Sequence, residues 1–325
     1  LLSGSLLIAA FCNLLTGFAI EGKLISLLII SRFAAGLMEG NISIARAMGA
    51  DMKTISKHKT LGKINAVASI AFILGPLIGG VMTDKTLSAQ LTTSTPFYVI
   101  CVIFLLIAAL SFLVLRNVVP AVRPEGKTVW QRINLWKRIS DLFANQHLKF
   151  LIITSTLFTL AVDIFYEFSP VYLTGKWELG PAQLIIYNGV LCIGLAVGNG
   201  LLPAFISSRI SNKLAITYSI GGMALFLTGM VLVSSVFIML LLFTLSGLAI
   251  GLAVTLLTVK ISDSAASSIQ GEVLGVQLSL RVLGDAFICL FGGALLLLSF
   301  KLILILAAVI SIAAMSYYLL KSKVF

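Results

Sequence analysis

Residues 236–259 read Val-Phe-Ile-Met-Leu-Leu-Leu-Phe-Thr-Leu-Ser-Gly-Leu-Ala-Ile-Gly-Leu-Ala-Val-Thr-Leu-Leu-Thr-Val, with no charged side chain until Lys260. A run of this length, wound as a helix at 1.5 Å per residue, crosses the roughly 30 Å of a bilayer's hydrocarbon. Working outward, the same pattern recurs along the chain, interrupted by charged or Gly/Pro-rich links. Ten spans are predicted, at 1–20, 24–49, 61–83, 97–116, 148–172, 182–206, 214–233, 236–259, 272–298 and 301–320. The expected fold class is an all-α polytopic membrane protein.

Composition agrees. The 325 residues are 59% hydrophobic and 11% charged, with a mean hydropathy of +1.10, whereas soluble domains are about 25% charged. The formal charge of +11 would point to nucleic acid in a soluble protein. Here the basic residues occupy the links between spans, so no nucleic-acid partner is expected. Sixteen of the 23 Lys and Arg residues fall in one alternating set of links, four in the other and three within spans. By the positive-inside rule the richer side is cytoplasmic, which puts both ends of the chain there, in a multi-pass protein of the cell (inner) membrane.

The longest link, 117–147, carries Trp130-Gln-Arg and Leu135-Trp-Lys-Arg and reads as a cytoplasmic amphipathic linker. It separates an N-terminal half, 1–116, with four spans from a C-terminal half, 148–325, with six. A six-plus-six protein that has lost its first two helices would show this split, and the first block lacks the basic start and cleavage site of a signal peptide. The expectation is therefore that two helices are missing upstream. Leu61-Gly62 and Gly79-Gly80 recur as Leu274-Gly275 and Gly292-Gly293 at a constant offset of 213 residues. Parallel repeats of this kind are one symmetry plan of secondary transporters.

These segments resemble the major facilitator superfamily, and within it the twelve-helix drug:proton antiporters. Arg32-Phe-Ala-Ala-Gly36-Leu-Met-Glu39-Gly40 resembles the Arg-x-x-x-Gly motif of that family's fourth helix. Leu74-Gly75-Pro76-Leu-Ile-Gly79-Gly80 resembles the Gly-Pro-x-x-Gly-Gly antiporter motif of its fifth, with Ala68 and Ala71 where glycines are usual. The resemblance implies an arginine near the proton and substrate pathway, a tightly packed helix that limits leak, and alternating access between two halves. The family's loop motif is echoed by Ser208-Arg209-Ile-Ser211-Asn-Lys213, with Ser in place of Asp.

Charges inside the spans are the candidate chemistry, because each costs about 2.5–3.5 kcal/mol on insertion scales unless it faces protein or water. Arg32 should therefore have a partner, with Glu39 nearly two turns on as a relay acid or a packing carboxylate. Asp163 and Glu167 stand one turn apart on a helix face, and like charges that close disfavour joint ionisation. A carboxyl so placed suits proton exchange, and Asp163 is the leading proton-site candidate. Arg281 and Asp285, at i and i+4, are expected to neutralise each other along one helix or, with Glu167, to belong to the proton and substrate pathway. Asp51, Asp263 and Arg209 lie at span ends and are candidates for a cytoplasmic gate. Gly36, Gly40, Gly75, Gly79, Gly80, Gly292 and Gly293 are expected to let helices approach closely. Tyr166, Tyr172, Tyr187, Asn188, Asn199 and Phe165 could line a cavity.

The four cysteines, Cys12, Cys101, Cys192 and Cys289, read as packing residues, and His58 and His147 lack metal-ligand spacing, so neither metal nor cofactor is expected. There is no HExxH and no nucleotide-binding Gly-Lys-Ser/Thr loop, which argues against an enzyme. The favoured expectation is a monomeric, proton-coupled exporter of a small, partly apolar compound. Uptake or facilitated diffusion of another solute, an inactive fragment, and a membrane-embedded enzyme are the alternatives.

Overall fold

The computed structural model describes residues 2–38, 44–45, 48–49, 57–83, 88, 90–115, 135–266, 269–296 and 299–322. In chain order the helices are α1 (Leu2–Glu21), α2 (Ile25–Leu37), α3 (Lys57–Thr83), α4 (Thr95–Leu115), α5 (Leu135–Phe143), α6 (Gln146–Trp177), α7 (Pro181–Gly200), α8 (Leu202–Ser207), α9 (Asn212–Leu232), α10 (Val236–Ser264), α11 (Gln270–Leu296) and α12 (Phe300–Lys321). Each of the ten predicted spans overlaps a helix, but α2 covers only 25–37 of the predicted 24–49, most of the rest lying outside the described residues, and 182–206 is divided between α7 and α8. Among the described residues, eight are long and apolar enough to cross a membrane, and α2 is a shorter apolar helix. The fold is all-α, with no strand among the described residues.

Local chemistry sets the helix ends. Asn145 starts α6, its side-chain oxygen accepting from the backbone N–H groups of His147 and Leu148 at 3.0 and 3.2 Å, as an N-cap should. Pro181 opens α7, where a missing N–H costs nothing, and Gln183 reaches back to accept from Gly180 N at 2.8 Å. Ser211 and Ser299 cap α9 and α12. At the end of α6, Glu178 takes up the left-handed conformation with φ 53°, a usual way to stop a helix. Lys176, in the last turn of α6, donates to Tyr172 Oη at 2.9 Å and to the carbonyls of Val231 and Val233 at the end of α9.

Two compact units make up the chain, residues 1–45 with 74–125, and residues 46–73 with 126–325. In the first unit, α1 packs on α4 and α2. Gly17 lies against the Tyr98 ring, so closely that a Cβ would come within 2.8 Å of two ring carbons. Thr16 and Ser31 share a buried hydrogen bond of 2.9 Å between α1 and α2, and Ser94 donates to Glu21 at 2.8 Å.

The second unit is built on α6, which is enclosed by α10, α11 and α12. Its core includes the fully buried Phe150, Phe158, Phe165, Tyr172, Phe243 and Tyr318. The most extensive pairing is α7 with α10. Gly194-Leu-Ala-Val-Gly198 on α7 faces Gly247-Leu-Ala-Ile-Gly251 on α10. A Cβ at any of the four glycines would collide with partner backbone: Thr244 for Gly194, Leu248 for Gly198, Leu191 for Gly247 and Asn199 for Gly251. Without a hydrophobic driving force between helices in lipid, such backbone contact is what holds them together.

Candidate functional site

The span of α6 carries Asp163 in the middle of an apolar run, and 4% of the residue is exposed. A carboxylate so placed requires a counter-charge, which comes from α11. Arg281 donates from Nη2 to Oδ1 at 2.7 Å, and from Nε to Oδ1 at 3.2 Å and Oδ2 at 3.1 Å. This forked, charge-assisted pairing is the geometry for which a guanidinium is better suited than an ammonium. The expected intrahelical pairing of Arg281 with Asp285 is thus not what its hydrogen bonds show. The guanidinium turns across to the deeply buried carboxylate on the neighbouring helix, where an unpaired charge would be costly. The Asp285 Oδ1 atom is buried and receives no hydrogen bond from the described residues. Glu167, one turn beyond Asp163, is exposed and lies within electrostatic reach of both aspartates.

Beside this pair opens a small cleft of about 70 Å³. Arg281, Tyr166, Thr159, Asn65 and Asn199 give it polar walls, and Ala68, Val162, Leu195, Ile250, Gly251 and Val254 supply the apolar ones. Pro170 lies inside α6 and has no N–H to donate to the carbonyl four residues back, at Tyr166. At another wall, Asn65 Nδ2 donates to Thr255 Oγ1 at 3.1 Å, and Thr255 donates to Asn199 Oδ1 at 2.9 Å. All three are buried. Gly62 makes this approach possible, since a Cβ there would stand 2.6 Å from the Asn199 carbonyl oxygen.

Of the residues expected to line a cavity, Tyr166 and Asn199 do. Tyr172 instead donates to the Met230 carbonyl at 2.8 Å, and Phe165 and Tyr187 pack against Phe243. Asn65, Thr255 and the four glycines of α7 and α10 are not among the residues expected from sequence. The Gly-x-x-x-Gly spacing is a visible signal for the glycines, whereas a lone Asn or Thr in a span carries none.

Elsewhere, Arg32 donates to Asn13 Oδ1 at 3.3 Å and its guanidinium lies 5.4 Å from the Phe97 ring centre. Both contacts lie in the first unit. Arg209 stacks over Phe205 at 4.2 Å, and Asp263 is exposed on the last turn of α10. Gly292 lies against the Phe168 ring, whereas Gly36, Gly75, Gly79 and Gly293 have no described atom within 4 Å of where a Cβ would stand. The side-chain surroundings of Pro76 and Gly80, and all of Glu39, Gly40, Asp51 and linker residues 117–134, lie outside the described residues.

The bundle of membrane-length helices has counterparts among known proteins. The Major Facilitator Superfamily model matches residues 1–288. An uncharacterised MFS-type transporter, YuxJ, of Bacillus subtilis is 27% identical over 271 residues, 82% of this chain and 66% of that protein. Multidrug resistance protein 1 of the same organism is 36% identical over 143 residues, 43% of this chain and 34% of that protein. The chain thus spans less than two thirds of the length of each of these relatives. Among solved structures, the human organic anion transporter MFSD10 superposes with a TM-score of 0.79 at 16% identity, covering 98% of this chain and 76% of that one. The E. coli fucose:proton symporter FucP does so with a TM-score of 0.70 at 16% identity, covering 98% and 83%. At such identity these structures speak for the fold alone. With a family model covering most of its length and the fold in agreement, the chain belongs to the Major Facilitator Superfamily.

Proposed function

We propose that the protein is a secondary active transporter that exports a small, partly apolar solute in exchange for protons, by alternating access between two membrane halves, 1–116 and 148–325. The observation that carries this reading is the buried Asp163 carboxylate, held by Arg281 at the wall of a cleft with both polar and apolar lining. An ionisable pair inside a membrane span is costly to maintain and marks a functional site by default. When Asp163 takes up a proton, the guanidinium loses its ionic partner and is left with a weaker hydrogen bond to a neutral carboxyl, which frees it to shift. Because Arg281 itself lines the cleft, the cleft's shape and charge change with that proton. One protonation event thereby alters solute affinity, which is the differential interaction that coupling requires.

The basic-rich links, including the end of the chain, are taken as cytoplasmic. Asp51, Asp263 and Arg209 are assigned to the cytoplasmic gate, and Arg32 with Glu39 to the proton pathway of the first half. The partner is a small molecule together with protons, and the working unit is a monomer in the bilayer.

The test uses proteoliposomes loaded with a pH-sensitive dye and given an ethidium gradient. Wild-type protein should move protons against the ethidium flux. Asp163→Asn should still retain ethidium binding while proton movement falls to the level of empty liposomes. Proton movement at the wild-type rate in Asp163→Asn would overturn the assignment of Asp163. Absence of coupled flux in wild type for ethidium and other lipophilic probes would overturn exchange itself.

A further inference from the structure

A second cavity lies on the other side of the α6–α11 seam. Its floor is Leu160 and Ile164 of α6, one wall is Gly284, Phe287, Ile288, Phe291 and Gly292 of α11, and the other is Ile303, Leu306 and Ile310 of α12. Its volume is about 370 Å³, and none of its lining residues carries a polar side chain. The reason is local. α11 and α12 each pack along α6 but touch each other only sparsely. The outer wall is the stacked pair Phe287 and Phe291, with ring centres 6.2 Å apart and planes at 12°.

We infer that this wedge binds an acyl chain of a bilayer lipid. Water does not fill a space lined only by carbon, and such a cavity takes up an apolar molecule instead. At the rim Phe287, Phe291 and Leu306 are 56%, 63% and 37% exposed, on helices long and apolar enough to cross a membrane. A lipid tail is the apolar molecule that this surface meets. No lining group could recognise a headgroup, so chain shape and length select the lipid. The wedge begins one turn from the ion pair, because Leu160 precedes Asp163 by three residues and Gly284 follows Arg281 by three. The bound chain therefore backs the seam that holds the pair. This inference rests on the membrane fold and not on the proposed exchange.

The test is photolabelling in nanodiscs with a phosphatidylcholine bearing a diazirine on its acyl chain, followed by peptide mass spectrometry. Labelling at Ile288, Leu306 and Ile310 should exceed that at the freely exposed Leu113 and Val114 of α4 several-fold. Leu306→Trp, which fills the wedge from its rim, should lower labelling of Ile288 and Ile310 to the Leu113 level, while Val309→Trp, outside the wedge on the same helix, should not. Thermal unfolding of both variants shows whether the helices remain packed. Equal labelling of wedge and α4 positions would overturn the proposal. So would a diazirine-tailed quaternary ammonium that labels the wedge and is not displaced by excess phospholipid, because the occupant would then be a solute.

Discussion

The α7–α10 and α6–α11 seams use glycine for opposite ends. Along α7–α10, four glycines bring backbone onto backbone, and no ionised group lies at the crossing. Along α6–α11, Gly284 and Gly292 meet the side chains of Leu160 and Phe168. The seam is threaded by polar contacts, Gln277 to Ser155 at 2.7 Å and Arg281 to Asp163. The first arrangement has one way to fit, because backbone cannot repack. The second can change, because removing a single charge alters what holds it. Under the proposed exchange, the backbone contact of α7–α10 serves as scaffold and the side-chain contact around the Asp163–Arg281 pair is the element that responds to a proton.

The rigid seam fails most severely when α10 is given a side chain where it has none. Gly247→Val should destabilise the protein by about 3 kcal/mol or more, as overpacking against immovable backbone does, and abolish recovery of folded protein from detergent. Next in size is the ion pair. Asp163→Ala leaves a guanidinium without its partner and should cost about 3–5 kcal/mol in reversible unfolding in mixed micelles. The double variant Asp163→Ala with Arg281→Leu should regain most of that, since a buried pair contributes little net stability. If the double variant were no more stable than the single, the seam would be rigid in the manner of α7–α10. A smaller effect is expected at the amide chain. Thr255→Val removes both links between Asn65 and Asn199 and should cost about 0.6–1.7 kcal/mol, the range of interhelical hydrogen bonds in membranes. The smallest is at Gly293, where open space awaits a methyl group. Gly293→Ala should shift stability by no more than about 0.5 kcal/mol, in contrast to Gly292→Ala, which meets the Phe168 ring.

Gly292 and Gly293 are adjacent and indistinguishable in sequence, and they mark the limit of what sequence alone shows. The membrane-length helices and their approximate ends follow from apolar run length and link composition, because lipid imposes both directly. The in-span charges Asp163 and Arg281 also stand out, since each is expensive in hydrocarbon. Their pairing does not, because choosing between Asp163 and Asp285 as the partner of Arg281 depends on how α6 and α11 are rotated. The 213-residue repeat marks Gly79 and Gly292 as equivalent. Yet one has open space among the described residues and the other an aromatic ring, since a repeat in sequence does not repeat the neighbours. Asn65, Thr255 and Asn199 lie on three helices with 190 residues between the first two, a distance over which no periodicity speaks.

Asp163 is proposed as the group that takes and releases the proton, and every other element of the exchange scheme depends on it. Infrared difference spectroscopy between acidic and alkaline buffer reads a protonated carboxyl through its carbonyl stretch. The wild-type protein should show such a band on acidification, the band should persist in Glu167→Gln and Asp285→Asn, and it should vanish in Asp163→Asn. A band unchanged in Asp163→Asn would contradict that assignment.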